Sequence, residues 1–350
     1  MKRVQSQRLP LVVALVAALG LSGPSRAVEP KDFALLDSNR IGGKGGWDYL
    51  TTDSSGARLF ISRGDRVDVY DTAARKVIGS IPDTKGVHGV ALAEAKNRGY
   101  SSNGKGNSIT VFELSTLKVL KELPITGENP DAILYEPVTD TLYTFNGEST
   151  NVTIFDATTL ELKATLPVPG KPEFAVSDAG GRVYLNIETE PGQLVVIDGK
   201  SMAVKATWAL KGCNAPTGLA LDAARHRLFS VCDDKVMAVT DAVTGKPVAR
   251  LAIGDGPDAA AYDPALGLVF SSNGDGTLSI IRQLAADKYA PAVSLPTQKG
   301  ARTMALDAKT HRVYLVTSDF GPPPPATAET PHPRPSQVPD TFTVHVAGPR

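Results

Sequence analysis

Seven residues recur in the chain at intervals of 40 to 44 positions: Asp48, His88, Asp131, Glu173, Thr217, Asp258 and Arg302. A repeated position that only holds structure tends to keep one residue type, yet this column carries four carboxylates, an imidazole, a hydroxyl and a guanidinium. Brought together, these groups have the donor set for a small polar ligand, or for a hard cation such as Ca²⁺, which prefers oxygen ligands. His88 beside Asp48 or Asp131 also has the make-up of a general base oriented by a carboxylate. A second column holds Arg63, Asn103, Asn146, Ile187, Cys232, Asn273 and Thr317, and adds amide oxygens and nitrogens to the same set. The sequence has no nucleophile elbow, phosphate-binding glycine loop or zinc-type His/Cys cluster.

What must position these groups is a repeat. Each column-one residue opens a run of small and apolar residues, as in Pro130-Asp131-Ala132-Ile133-Leu134-Tyr135-Glu136 and Pro216-Thr217-Gly218-Leu219-Ala220-Leu221-Asp222. A turn rich in Asp, Gly and Asn follows, then a second strand, expected at Arg58–Ser62, Thr141–Phe145 and Arg312–Val316. A third strand is expected at Arg66–Tyr70, Val152–Phe155 and Leu194–Ile197. It ends in an Asp turn (Asp71-Thr72, Asp156-Ala157, Asp198-Gly199, Asp241-Ala242), which suits residues that cap their own backbone. A more polar fourth strand closes the unit, as in Leu162–Leu166 and Val248–Ile253. Four short strands in about 42 residues, repeated seven times, predict an all-β, seven-bladed β-propeller with four antiparallel strands per blade. The last unit has a third strand, Thr341–Val346, but no fourth. Phe33–Ser38 is expected to supply it, so that the N-terminal strand joins the C-terminal blade and closes the ring. On this layout residues 28–350 form one domain, and both polar columns lie at one mouth of the central channel as a polar funnel.

The units resemble the YVTN-repeat, YncE-like family of bacterial propellers. The second-strand motif stands as Leu142-Tyr143-Thr144-Phe145-Asn146, Val269-Phe270-Ser271-Ser272-Asn273-Gly274 and Val313-Tyr314-Leu315-Val316-Thr317, and the third-strand motif as Val152-Thr153-Ile154-Phe155-Asp156. The resemblance implies an exported propeller and no particular reaction, because the fold hosts unrelated chemistries. Trp47-Asp48 occurs once and in the wrong part of the unit for a WD repeat.

Cys213 and Cys232 fall on the funnel side of one blade, and an oxidising compartment favours a disulfide between them. Two cysteines without a C-x-x-C-H motif exclude covalent haem attachment. The last blade is interrupted by an insertion over residues 321–340, opened by Gly321-Pro322-Pro323-Pro324-Pro325. Proline at this density favours extended polyproline II, and the insertion is expected to form a lid over the funnel or a docking segment.

The N-terminus decides the compartment. Lys2, Arg3 and Arg8 precede an apolar run from Leu9 to Leu21, and Ser25-Arg26-Ala27 ends it with small residues. This is the pattern of a secretory signal peptide over residues 1–27, too short for an easy bilayer span of about 20 residues. Cleavage after Ala27 places the protein in the periplasm or outside the cell; without cleavage the segment would be an anchor. The whole chain has 37 basic and 37 acidic residues; losing Lys2, Arg3, Arg8 and Arg26 leaves a net charge of −4. This balance argues against nucleic acid as a partner. Three functions fit: a scaffold binding a small polar ligand or another envelope protein, a lactonase or lyase using His88 and the acidic channel residues, and an accessory of an exported redox or metal system. No cofactor is expected beyond a bound divalent cation.

Overall fold

The computed structural model describes residues 27–327, 330, 333 and 335–350. Apart from Ala27, the leader expected over residues 1–27 lies outside the described residues. The chain forms seven sheets: blade I over 50–81, II over 87–124, III over 130–167, IV over 171–210, V over 216–252, VI over 257–296 and VII over 304–349. Each blade has four antiparallel positions, with the first strand innermost. In blade VI two short pieces, Lys288–Tyr289 and Val293–Pro296, share the fourth position, and both pair with Thr277–Ala285. Pro291 lies between them and has no N–H to continue the ladder.

Blade VII is completed by Phe33–Arg40, which pairs with Thr343–Pro349 as its outermost strand. The inner strands of blades I and VII pack side by side, so the ring is closed. Among the described residues no helix is long and apolar enough to cross a membrane.

The sequence pattern explains the layering. Second strands such as Leu268–Asn273 are buried along their whole length, whereas fourth strands such as Val119–Pro124 are mostly exposed. The buried side chains fall into seven clusters, one at each junction between neighbouring blades. Each large apolar side chain buried there contributes about 1.5–3 kcal/mol. Inner strands are crowded: a Cβ on Gly218 would stand 2.6 Å from the Ala259 backbone. The Asp turns behave as expected. Asp71, Asp156 and Asp241 each accept two backbone N–H groups from the residues that follow, at 2.6–3.0 Å. Tyrosines of the second strand then tie blades together. Tyr100 donates to Ala157 O (2.7 Å) and Tyr184 to Ala242 O (3.1 Å), each on the Asp turn of the next blade.

Cys213 and Cys232 form the expected disulfide, fully buried in blade V. The neck of the insertion is held by backbone bonds from Gly321 N to Ser336 O (2.9 Å) and Val338 N to Asp319 O (2.8 Å).

Candidate functional site

The first polar column is aimed by a distortion of the inner strands. In blades II to VI the pairing of the first and second strands shifts register at or next to the column residue. A bulge of this kind re-aims the local side chain. In blades I and VII the inner strand starts later, at Leu50 and Met304, so Asp48 and Arg302 sit on the entering segment.

Three of these residues, from consecutive blades, meet. His88 Nδ1 lies 2.6 Å from Asp48 Oδ2 and 3.6 Å from Asp131 Oδ1. Burial lowers the imidazole pKa, but the hydrogen bond to Asp48 and the charge of Asp131 outweigh it and carry the pKa up to about 9. His88 is therefore an imidazolium at neutral pH. A Cβ on Gly104 would stand 2.6 Å from His88 Nε2 and 2.4 Å from Asn129 Oδ1, so this position must lack a side chain for the imidazole to fit.

Asp131, Glu173 and Asp258 form the floor, each only 7 % exposed. Burial is the main cause that raises all three. Asp131 goes to about 6 against the pull of His88, Glu173 to about 8 with the help of the Asp131 charge, and Asp258 to about 7 against Arg302. Lys171 Nζ stands 2.8 Å from Glu173 Oε2 and also holds Glu188; Arg302 Nε is 3.4 Å from Asp258 Oδ2. Asp131 Oδ1 and Asp258 Oδ2 are buried without a hydrogen-bond partner. Thr217 spends its hydroxyl on Pro257 O at 3.0 Å.

Tyr49 was not singled out by the sequence. Its side chain leaves blade I and packs with residues of blades III and IV, its ring 5.2 Å from that of Phe174. Its hydroxyl donates to Glu173 Oε1 at 3.3 Å. Burial and then the neighbouring carboxylates, Asp131 first, hold the phenol well above its usual pKa, so it stays a neutral donor. The signal lay in the repeat: the residue after column one is Gly, Ala or Thr in five units and aromatic only at Tyr49 and Phe174. Lys171 likewise is the one charged residue in a column otherwise filled by Gly46, Gly86, Asn129, Ala215, Gly256 and Gly300.

The second column is placed differently from the first. Arg63, Asn103, Asn146 and Asn273 are fully buried. Asn103 bonds Ser108 and Thr110, Asn146 bonds Asn151 and Thr153, and Asn273 bonds Thr277 and Ser279, all within their own blades. Arg63 donates to the carbonyls of Gly42, Gly43, Lys44 and Gly45.

Above the floor lies a groove of about 640 Å³, lined by Trp47, Asp48 and His88 and rimmed by Lys44, Arg66, Lys85 and Lys105. It adjoins, across Gly46 and Trp47, a hollow of about 680 Å³ bordered by Lys299, Arg302, Phe320, Pro323 and Pro335. The insertion thus borders the funnel face. The arrangement is a floor of buried carboxyls, whose burial favours the protonated form, under a cationic rim, with His88 at the junction.

No family model matches the chain, and no curated protein matches it. Solved structures do. A chain titled hydrazine synthase, from Kuenenia stuttgartiensis, aligns with a TM-score of 0.66 at 17% identity, over 79% of this chain and 93% of that one. A chain from a crystal structure titled mitotic checkpoint complex aligns with a TM-score of 0.73 at 13% identity, over 99% of this chain and 98% of that one. At these identities the likeness shows a shared seven-bladed propeller and nothing about activity.

Proposed function

We propose that this chain is an exported propeller of the YVTN-repeat, YncE-like kind that binds a small polar ligand on its funnel face. One neighbour is titled a synthase and the other a complex, so the fold does not choose between catalysis and binding; the site has to. The observation that carries the binding reading is the pair of buried, unpartnered acceptors on the floor, Asp131 Oδ1 and Asp258 Oδ2. Buried polar atoms are rarely left unpaired, and leaving one so costs about 1–3 kcal/mol. A cationic or hydrogen-bond-donating group that reaches the floor would satisfy them, while Lys44, Lys85 and Lys105 at the groove would hold an acidic group. Asp48 at 2.6 Å and the charge of Asp131 favour the protonated form of His88 when no ion is bound, which argues against the general base that a lactonase reading requires. Export is supported by the buried disulfide.

The test starts with protein purified from its native source. Its N-terminus is expected at Val28, and denaturation is expected to release a small molecule identifiable by mass spectrometry. The combined variant Asp131→Asn, Glu173→Gln, Asp258→Asn should bind that molecule about 100-fold more weakly, the equivalent of one or two lost hydrogen bonds to charged groups. Its melting temperature should hold. Unchanged affinity in a folded triple variant would remove the funnel floor as the binding site.

A further inference from the structure

We infer that Asp48, His88 and Asp131 form a binding site for a divalent first-row transition ion such as Zn²⁺. The inference deepens the funnel-face reading, on which it rests, by naming what sits at the junction of floor and groove. One ligand atom from each of Asp48, His88 and Asp131 lies within 4.8 Å of the other two, a spacing that one ion with bonds of about 2.0–2.2 Å to N and O can bridge. They come from the same repeat position of three consecutive blades, each fixed by the closed ring rather than by a mobile loop.

The second, independent observation is Asp131 Oδ1 itself. It is buried, faces His88 at 3.6 Å, and has no hydrogen-bond partner. The Asp131 residue is 7 % exposed. An acceptor placed this way lacks a positive partner at bonding distance, and a metal ion that displaces the proton from His88 Nδ1 supplies one. Gly104, which leaves room for the imidazole, keeps Asn129 Oδ1 beside the space that holds His88 Nε2.

The donor set selects the ion. One imidazole and two carboxylates suit Zn²⁺ or Mn²⁺, whereas Ca²⁺ takes 6–8 oxygens and soft ions take thiolates. Asp48 and His88 also line the groove of about 640 Å³. Three protein ligands with one side open is the pattern that leaves coordination positions for an exchangeable ligand. The ion would then present its open positions to an anionic or carbonyl group held by Lys44, Lys85 and Lys105.

The test is a direct titration of the full chain, stripped with a chelator, with Zn²⁺ by calorimetry. One equivalent is expected to bind. His88→Gln and Asp131→Asn should each weaken binding at least about 10-fold, while the exposed Glu148→Gln should not. Circular dichroism checks that the variants are folded. X-ray absorption of the Zn²⁺-loaded wild-type chain gives an answer that needs no variant, with one imidazole among nitrogen and oxygen neighbours expected. The absence of saturable binding, a shell without imidazole, or undiminished binding in folded His88→Gln and Asp131→Asn would each overturn the site. No groove ligand enters this measurement. A chain that binds Zn²⁺ but releases no small molecule therefore loses only the ligand reading, and one that holds its ligand after stripping and ignores Zn²⁺ loses only the metal.

Discussion

Arg63 stands where three other blades place an asparagine, and it solves the same problem on a larger scale. Asn103, Asn146 and Asn273 each tie the end of a second strand to the third strand of their own blade. Arg63 instead gathers the carbonyls of Gly42, Gly43, Lys44 and Gly45 at 3.0–3.3 Å and lies over the Phe342 ring, 3.5 Å from its centroid. It is fully buried, and burial lowers its pKa to about 10, which leaves it charged at neutral pH. The segment it holds leads directly to Trp47 and Asp48, so a structural side chain shapes one wall of the groove. Arg63→Met keeps most of the volume and removes every donor. Four carbonyls lose their partner, and the expected loss is about 3 kcal/mol in urea unfolding. A loss under about 1 kcal/mol would mean that water replaces the guanidinium at no cost, and that residues 42–45 do not depend on it.

The strand Phe33–Arg40 carries the closure, and one histidine reports on how firmly it is held. His345 lies in the partner strand, 4 % exposed, with Ser38 Oγ 2.8 Å from Nδ1 and Gln298 Oε1 2.8 Å from Nε2. Gln298 is itself oriented by donating to Asp319 Oδ1 at 2.8 Å. The network therefore assigns the proton to Nε2, and Nδ1 accepts from Ser38. Burial lowers the His345 pKa, and the charges of Asp319 and Asp37, which pull the other way, do not restore it. The folded state thus binds the proton less tightly than the unfolded chain, whose histidine titrates near about 6.5. The stability from this contact is whole above that value and is lost as the pH falls through the lower folded one. Protection factors in Phe33–Arg40, corrected for the intrinsic pH dependence of amide exchange, should fall between neutral pH and about pH 5 relative to those of Thr141–Asn146 in blade III. His345→Gln should flatten that dependence. An equal change of protection in both strands would show that the latch does not act on closure.

The ring as a whole was legible in the sequence because its seven units are periodic, and periodicity survives errors of a residue or two. Arg66–Tyr70 was expected as a strand and Val67–Asp71 is found, which changes nothing about the fold. The funnel was legible where the repeat broke its own pattern, at His88 among carboxylates. It was less legible where a side chain's direction depends on a bulge or on the far side of the channel. No spacing rule shows that Tyr49 crosses to Glu173, or that the amides of Asn103 and Asn273 turn inward to their own blades. Closure belongs to this larger scale too, because it joins the first strand to the last. Phe33 is 4 % exposed and its ring lies 5.4 Å from that of Phe270 in blade VI, so the strand seals two blades. Removing residues 28–40 would leave Thr343–Pro349 as an unpaired edge beside an uncovered apolar cluster, the arrangement that recruits other chains. The truncated chain is expected to melt about 5 °C or more below the intact one, the shift for a loss of a few kcal/mol in a domain of this size, and to self-associate in light scattering. A synthetic peptide of residues 28–40 should restore a monomer by adding back as a strand. A truncated chain that stays monomeric with an unchanged melting temperature would mean that the seven inner strands close the ring without it.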